Sequence, residues 1–249
     1  MTPATVDLLA LAAHPDDAEV GCGGALVLAA SSGLRVAVVD LTRGERSTSG
    51  TVEQRNEEKA SAAELLGLSL RVALELPDTA VGTDPSHRDE VVAILRRLRP
   101  RIVLAPHTDD RHPDHAAAGR LAREAAFVSG VARAGRGTPH RPHRLYHYPL
   151  HHPLEPSFVL DVSSVWDRRM QAVRAYTSQF GLSLGQRRTS IGDPRFLELL
   201  EARAAHYGAM VGVEHGEPYL CHGPLRVATL PELEDRGPGG DARRYRTYL

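Results

Sequence analysis

Residues 7–17 of the chain read DLLALAAHPDD, an unbroken apolar run that ends at a histidine and a proline. A continuous apolar segment of this length, closed by a turn, is typical of a strand buried on both faces. Such strands occur in parallel sheets that are covered by helices on both sides. The segment therefore predicts an α/β fold, with His14, Asp16 and Asp17 directly after its first strand.

The rest of the chain alternates between strand-like and helix-like patterns. Capping boxes at Thr51–Gln54 and Ser164–Asp167 mark two helix starts. This alternation predicts one Rossmann-like domain over 1–229, with a mostly parallel sheet, helices on both faces and a loosely ordered tail at 230–249. Further strands are predicted at 35–41, 70–74, 101–105, 144–148 and 158–161, and helices at 23–32, 51–66, 86–99, 116–129, 164–180 and 193–211.

The predicted strand order is 3-2-1-4-5, the common order for such a sheet. Strands one and four are then neighbours, and ligands bind outside the carboxyl ends of strands where the order reverses. The loops that begin at His14 and His107 are therefore expected to face each other across one crevice.

The composition is that of an ordinary globular protein, with 42% hydrophobic and 24% charged residues in 249. Thirty basic residues against 31 acidic ones leave a net charge of -1, which argues against a nucleic-acid binder. No apolar segment approaches the ~20 residues of a membrane helix, and residues 1–9 lack the basic start of a signal peptide. Two cysteines form no disulfide framework, so a cytoplasmic protein is expected.

Two histidine-containing loops carry the candidate chemistry. His14 and Asp17 are three residues apart on a tight turn, so both can reach one ion. A histidine from the second loop, which reads HPDH at 112–115, completes a His-Asp-His set. Two imidazoles and a carboxylate with open positions are typical of a catalytic zinc site, and they also fit ferrous iron. Each loop alone is more typical of a helix-capping turn than of a metal site, so the prediction depends on the pair.

A dinucleotide-binding module is the alternative from another class. Gly21 and Gly23 supply a G-x-G after a strand, and Asp40 ends the second strand where a ribose-binding acid would lie. The pattern fails at Leu26, where the third glycine is required, and in the seven residues between strand and glycines. We interpret the glycines instead as close packing and an open helix N-terminus.

The two loops, HPDDAE at 14–19 and HPDH at 112–115, resemble the PIG-L/LmbE family of zinc-dependent N-acetylglucosaminyl deacetylases. The resemblance extends over about residues 6–225, through DLT at 40–42, GTVEQR at 50–55, LPD at 76–78 and GEPY at 216–219. Within the family, the chain looks like the branch that deacetylates N-acetylglucosaminyl-malate in bacillithiol biosynthesis.

The resemblance implies a set of catalytic roles. His14, Asp17 and His115 would hold zinc, or ferrous iron or another divalent metal, and Asp16 would be the general base on the metal-activated water. His112, protonated through pairing with Asp114, would stabilise the oxyanion. The resemblance also implies a homo-oligomer, a hexamer in this branch.

The resemblance also implies a set of substrate contacts. The partner is expected to be a small amino-sugar, bound by Arg55 and Asp78, with Arg43 and Arg46 recruiting an acidic aglycone. Chitooligosaccharides and thiol-conjugate amides remain alternative substrates, because sugar specificity lies in loop shape rather than in the metal motif.

Other polar residues in the predicted domain are expected to have supporting roles. Glu19 is expected to orient a loop histidine. Surface or turn roles are expected for three further histidines, His147, His151 and His152.

Overall fold

The fold is seen in a computed structural model that describes residues 5–180, 189–193 and 195–225. One sheet contains seven strands within these ranges, in the order β3-β2-β1-β4-β5-β7-β6. The first five strands run parallel, and β7 pairs antiparallel with β5 and β6. The strands are β1 (Leu8–Ala12), β2 (Val36–Asp40), β3 (Leu70–Ala73), β4 (Ile102–Pro106), β5 (Arg144–Tyr148), β6 (Phe158–Asp161) and β7 (Gly216–Cys221).

The α/β class, the six predicted strands and the order of the first five are confirmed. The sequence interpretation missed β7, because a short segment that contains Gly216 and Pro218 lacks the composition of a strand. The predicted tail at 230–249 lies outside the described residues.

Seven α-helices accompany the sheet in the described ranges. The Thr51 cap is confirmed, since its hydroxyl accepts a hydrogen bond from the Gln54 amide at 3.2 Å. The single helix predicted from Ser164 is wrong: a 3₁₀ turn at Ser163–Val165 precedes two helices, and the capping position is Val165. The helices are α1 (Asp17–Ser31), α2 (Val52–Leu66), α3 (Pro85–Leu98), α4 (Pro113–Val128), α5 (Trp166–Arg174), α6 (Thr177–Phe180) and α7 (Arg195–Val211).

The core lies on both faces of the sheet, as the continuous apolar run of β1 predicted. Leu8, Ala10 and Ala12 pack into one buried cluster, which includes residues of α1, α2, α5 and α7. Leu9 and Leu11 pack into a second cluster with α3 and α4. None of the helices in the described ranges is long and apolar enough to cross a membrane.

The glycines of α1 serve close packing, as predicted. A Cβ at Gly21 would lie 2.1 Å from Cδ2 of Tyr148. α1 is broken at Cys22 (φ −146°, ψ 20°), and the helical segment after the break does not have the predicted open N-terminus, because the Glu217 carboxylate accepts hydrogen bonds from the backbone amides of Gly24 (2.6 Å) and Ala25 (2.9 Å). These amides are therefore not available to a dinucleotide phosphate.

Candidate active site

The loops after β1 and β4 meet at one edge of the sheet, as the strand order predicted. α1 and α4 begin earlier than expected, at Asp17 and Pro113, so each loop leads directly into the first turn of a helix. The ring centroid of His14 lies 4.8 Å from that of His112 and 5.3 Å from that of His115. Nitrogen atoms of these three imidazoles all lie within 4.8 Å of one another.

Asp17 bridges two of these histidines. Its Oδ2 lies 3.5 Å from Nδ1 of His14, and its Oδ1 lies 3.2 Å from Nε2 of His115. The other ring nitrogen of His14 faces Oδ2 of Asp114 at 3.2 Å and Oδ1 of Asp78 at 3.4 Å. Imidazole nitrogens and carboxylate oxygens at this spacing are the donor set that zinc prefers, so the residues present fit a divalent metal.

Negative charge dominates the electrostatics of this cluster. Burial alone would lower the pKa of His14, but hydrogen bonds to Asp114, Asp17 and Asp78 raise it well above its usual value. Burial opposes the same effect at His115, where Asp17 and Asp110 raise the pKa to about 9. A buried site in which carboxylates surround two imidazoles favours a bound cation.

Asp16 lies beside the cluster without bridging its histidines. Its φ of 120° is strained for a residue with a side chain, and such strain concentrates at functional sites. Its Oδ2 lies 3.4 Å from Nη1 of Arg55, and Nη2 of the same guanidinium donates to the carbonyl of Pro15. Burial and the neighbouring charge of Asp17 raise the pKa of Asp16, and Arg55 lowers it. The net result is a pKa of about 7. A carboxyl group that titrates near neutrality can both take and return a proton.

The expected pairing between His112 and the Asp114 carboxylate is absent. His112 caps α4, with Nδ1 accepting a hydrogen bond from the Asp114 backbone amide at 3.2 Å. The Asp114 carboxylate instead accepts from the backbone amides of Thr79 (2.7 Å) and Val81 (3.2 Å) and contacts His14. Burial and the neighbouring histidines lower the pKa of His112. A neutral ring with Nδ1 as acceptor carries its proton on Nε2.

A cavity of about 440 Å³ opens over these residues. Of the predicted substrate contacts, Arg46, Arg55 and Asp78 line it, whereas Arg43 does not. Arg55 is 3% exposed, and its guanidinium is engaged by Asp16 and Pro15.

Arg111 also lines the cavity and was not predicted as a site residue. Its side chain is exposed and donates to the Ser190 hydroxyl at 2.8 Å. Its position in the loop before HPDH was the available signal. Phe180 and Phe196 form an aromatic part of the cavity wall, with stacked rings 5.5 Å apart.

The sequence interpretation also missed Asp110 and misjudged His151. Asp110 Oδ1 lies 3.1 Å from Nδ1 of His115 and 2.8 Å from Nδ1 of His151, which lines the cavity instead of the outer surface. Asp110 stands in the same loop as HPDH, so it was open to prediction. His151 is 41 residues away in sequence, and no local pattern indicates its contact.

Two further expectations about polar residues are wrong. Glu19 contacts Arg71 and the Tyr176 hydroxyl (3.2 Å) rather than a histidine. Arg71 also pairs with Asp40 at 2.8 Å. The Asp40 carboxylate is therefore engaged in a buried network and does not face a ribose site, as the dinucleotide alternative would require. His147 is fully buried on β5, where its Nδ1 lies 2.7 Å from a backbone carbonyl. His152 is half exposed and lies 3.4 Å from Asp109, consistent with the expected surface role.

Comparison with known proteins places these features in a family. The family described as "GlcNAc-PI de-N-acetylase" (PIG-L) matches residues 9–126. The chain is 31% identical over 223 residues to a diacetylchitobiose deacetylase of Thermococcus kodakarensis, covering 84% of this chain and 80% of that protein.

Two other proteins, one known from its solved structure and one a hydratase, are also similar to this chain. A solved structure of a conserved protein from Thermus thermophilus has a TM-score of 0.82 and 42% identity, covering 91% of this chain and 98% of that one. The 4-oxalmesaconate hydratase of Pseudomonas putida is 29% identical over 190 residues, covering 69% of this chain and 73% of that protein.

Proposed function

This chain belongs to the PIG-L family of de-N-acetylases, and we propose on that premise that it is a metal-dependent hydrolase of N-acetylated amino sugars. The reaction breaks the amide C–N bond of an N-acetylglucosaminyl unit and releases acetate and a free amine. The observation that carries the proposal is the convergence of His14, Asp17 and His115 beside Asp16 where β1 and β4 end.

His14, Asp17 and His115 would hold the metal, with zinc as the first candidate and ferrous iron as the second. When bound, the cation would lower the pKa of a water molecule towards ~7 and polarise the amide carbonyl. The donor set and the excess of buried carboxylates around His14 support this assignment.

Asp16 is the proposed general base. It borders the cavity, and burial raises its pKa to about 7, so it can accept a proton from the attacking water. It then returns that proton to the amide nitrogen as the C–N bond breaks. Arg55 holds the Asp16 carboxylate in place through the contact at 3.4 Å.

His112 is the proposed hydrogen-bond donor to the carbonyl oxygen of the acetyl group, which becomes an oxyanion when water adds to the carbonyl carbon. Its Nδ1 accepts a hydrogen bond from the Asp114 backbone amide, so in the neutral ring the proton is on Nε2. That N–H group is available to the substrate. This assignment replaces the charged imidazolium expected from the sequence. A positioned donor of this kind contributes about 100- to 1,000-fold in turnover.

We propose N-acetylglucosaminyl-malate as the substrate, with diacetylchitobiose as the alternative. Support comes from Arg46 and Arg111, two exposed guanidinium groups that line the cavity and suit the carboxylates of a malyl aglycone. Arg55 is a weaker candidate than the sequence suggested, since its charge is directed at Asp16. Diacetylchitobiose has no carboxylate, so the two substrates make the role of the arginines measurable.

The test measures acetate release from both substrates with added zinc. We expect Arg46→Ala and Arg111→Ala to lower kcat/KM for the malate conjugate by about tenfold to a hundredfold, the equivalent of a charge-assisted hydrogen bond. Diacetylchitobiose turnover should change much less. Arg43→Ala is the matched control, because Arg43 is exposed in the same loop and does not line the cavity.

Two results would contradict the proposal at different levels. Equal losses on both substrates would remove the argument for the malate conjugate. A zinc-loaded enzyme that releases acetate from neither substrate would refute the proposed reaction. Acetate also distinguishes a deacetylase from a hydratase such as the Pseudomonas putida relative, since hydration of a double bond releases no acetate.

A further inference from the structure

Asp110 is a buried carboxylate that connects the histidine loop to the segment after β5. Its side chain is 2% exposed, and two of its hydrogen bonds come from the Nδ1 atoms of His115 (3.1 Å) and His151 (2.8 Å). Backbone amides of His151 (2.9 Å) and His112 (2.8 Å) supply two more. These four hydrogen bonds hold the Asp110 side chain in one position between the two segments.

The contact with Asp110 determines which nitrogen His115 offers to the proposed metal. With Nδ1 directed at Asp110, Nε2 of His115 points to Asp17 at 3.2 Å. The ring of His151 stacks on that of His115, with centroids 5.1 Å apart and planes inclined by only 10°. His151 therefore restricts His115 in two ways, by packing against its ring and by holding the carboxylate that anchors its Nδ1.

We propose that Asp110 and His151 are positioning residues that orient His115 as a metal ligand. The inference rests on the proposed function, because it takes His115 to be a ligand. A carboxylate on the second nitrogen of a ligand histidine fixes its tautomer and its orientation. His151 goes beyond this common arrangement, since it fastens the carboxylate from a segment 41 residues along the chain.

The chain contains a neighbouring Asp–His pair that shows what an incidental contact looks like. Asp109 and His152 lie 3.4 Å apart, but their side chains are 79% and 46% exposed, and neither lines the cavity. The two pairs occupy adjacent positions in the same two segments. Substitutions in the exposed pair are therefore matched controls for substitutions in the buried one.

The experiment titrates zinc into the metal-free full-length chain by calorimetry or chelator competition. Loss of an outer partner of a ligand histidine costs about 10- to 100-fold in metal affinity, so Asp110→Asn should raise the Kd for zinc by that factor. His151→Ala should raise it by about tenfold, the lower end of that range, because Asp110 remains. His151→Asn keeps a donor near the Nδ1 position but loses the stacked ring, so its affinity should lie between those of His151→Ala and the wild type. The controls Asp109→Asn and His152→Ala should bind zinc as tightly as the wild type.

Several results separate this proposal from its rivals. The urea unfolding midpoint of metal-free His151→Ala should stay close to that of the wild type, which a general loss of folding would not allow. Wild-type zinc affinity in both Asp110→Asn and His151→Ala would overturn the positioning role. If Asp110→Asn does not fold, the comparison of His151→Ala with His151→Asn decides alone, and equal affinities there would refute it. If the wild-type chain binds zinc with this pattern yet releases no acetate, the proposed function fails while the positioning role stands.

Discussion

Replacement of Asp16 by asparagine separates the proposed base from the proposed ligands. The amide has the size of the carboxylate and retains an oxygen that can accept from Arg55, whose Nη1 lies 3.4 Å from Oδ2 in the native site. It cannot take a proton from water. Because Asp17, not Asp16, bridges His14 and His115, the metal content of the variant should not change.

The expected loss in turnover follows from the environment of Asp16. Burial raises its pKa to about 7, so near neutral pH the group exchanges a proton with little cost in either direction. A general base matched in this way contributes about 100- to 10,000-fold, which corresponds to about 2.7 to 5.5 kcal/mol in the activation free energy. We expect kcat of Asp16→Asn to fall by this factor.

Stability should not follow activity. The pKa of Asp16 is higher in the folded chain than in the unfolded chain, so the unfolded chain ionises at a lower pH. The metal-free fold is therefore destabilised as the pH rises from the unfolded pKa to the folded pKa of about 7. Asparagine removes that penalty, while the lost charge next to Arg55 acts in the opposite direction. The free energy of unfolding should therefore change far less than the activation free energy.

The assay is acetate release at saturating substrate, with zinc content measured on the same sample and unfolding followed in urea. Asp17→Asn is the contrasting variant, since it should lose metal and activity together. Turnover of Asp16→Asn within about tenfold of wild type, at full zinc content, would refute the base role. Loss of zinc from Asp16→Asn would show that the roles of the two aspartates are exchanged.

Three further predictions test the ligands, the packing and the buried histidine. His115→Ala should lose most of its bound zinc in metal analysis, because one of three protein ligands is gone; full occupancy would remove His115 from the set. Gly21→Ala should lower the urea unfolding free energy by about 1 to 3 kcal/mol, since its Cβ would lie 2.1 Å from the ring of Tyr148; unchanged stability would show that the ring moves freely. Burial lowers the pKa of His147 to about 4, below that of an unfolded histidine, so its contribution is complete above pH ~6.5 and is lost as pH falls towards 4. Between pH 7 and pH 5 the wild type should lose about 2 kcal/mol more unfolding free energy than His147→Asn, which retains a donor for Pro106, and parallel pH profiles would contradict this.

Much of the architecture was predictable from local patterns. The strand at Leu8–Ala12 is buried at every position, as its unbroken apolar run indicated. The hydrophobic effect acts on contiguous side chains, so a run of this kind is legible in the sequence alone. The strand order then predicted that the loops at His14 and His112 meet, which they do with ring centroids 4.8 Å apart.

Local patterns failed where polar side chains find distant partners. Glu19 was expected beside a histidine but contacts Arg71 of β3, 52 residues away in the chain. The prediction of an open helix N-terminus failed for the same reason, because Glu217 of β7 accepts a hydrogen bond from the Gly24 amide of α1 across 193 residues of sequence. A carboxylate is satisfied by any donor that the fold brings within reach, and its neighbours in sequence do not indicate which.

The candidate site divides along the same line. The sequence predicted that five side chains meet at one edge of the sheet, because each follows a strand end within a short loop and parallel strands gather those ends there: His14, Asp16, Asp17, His112 and His115. Only the tertiary structure decided that His112 faces the cavity as a neutral cap of α4 and that His151 reaches Asp110. The contact of His151 depends on how β5 lies beside β4, which the packing of the whole core determines, whereas the loops themselves depend on the turns that end two buried strands.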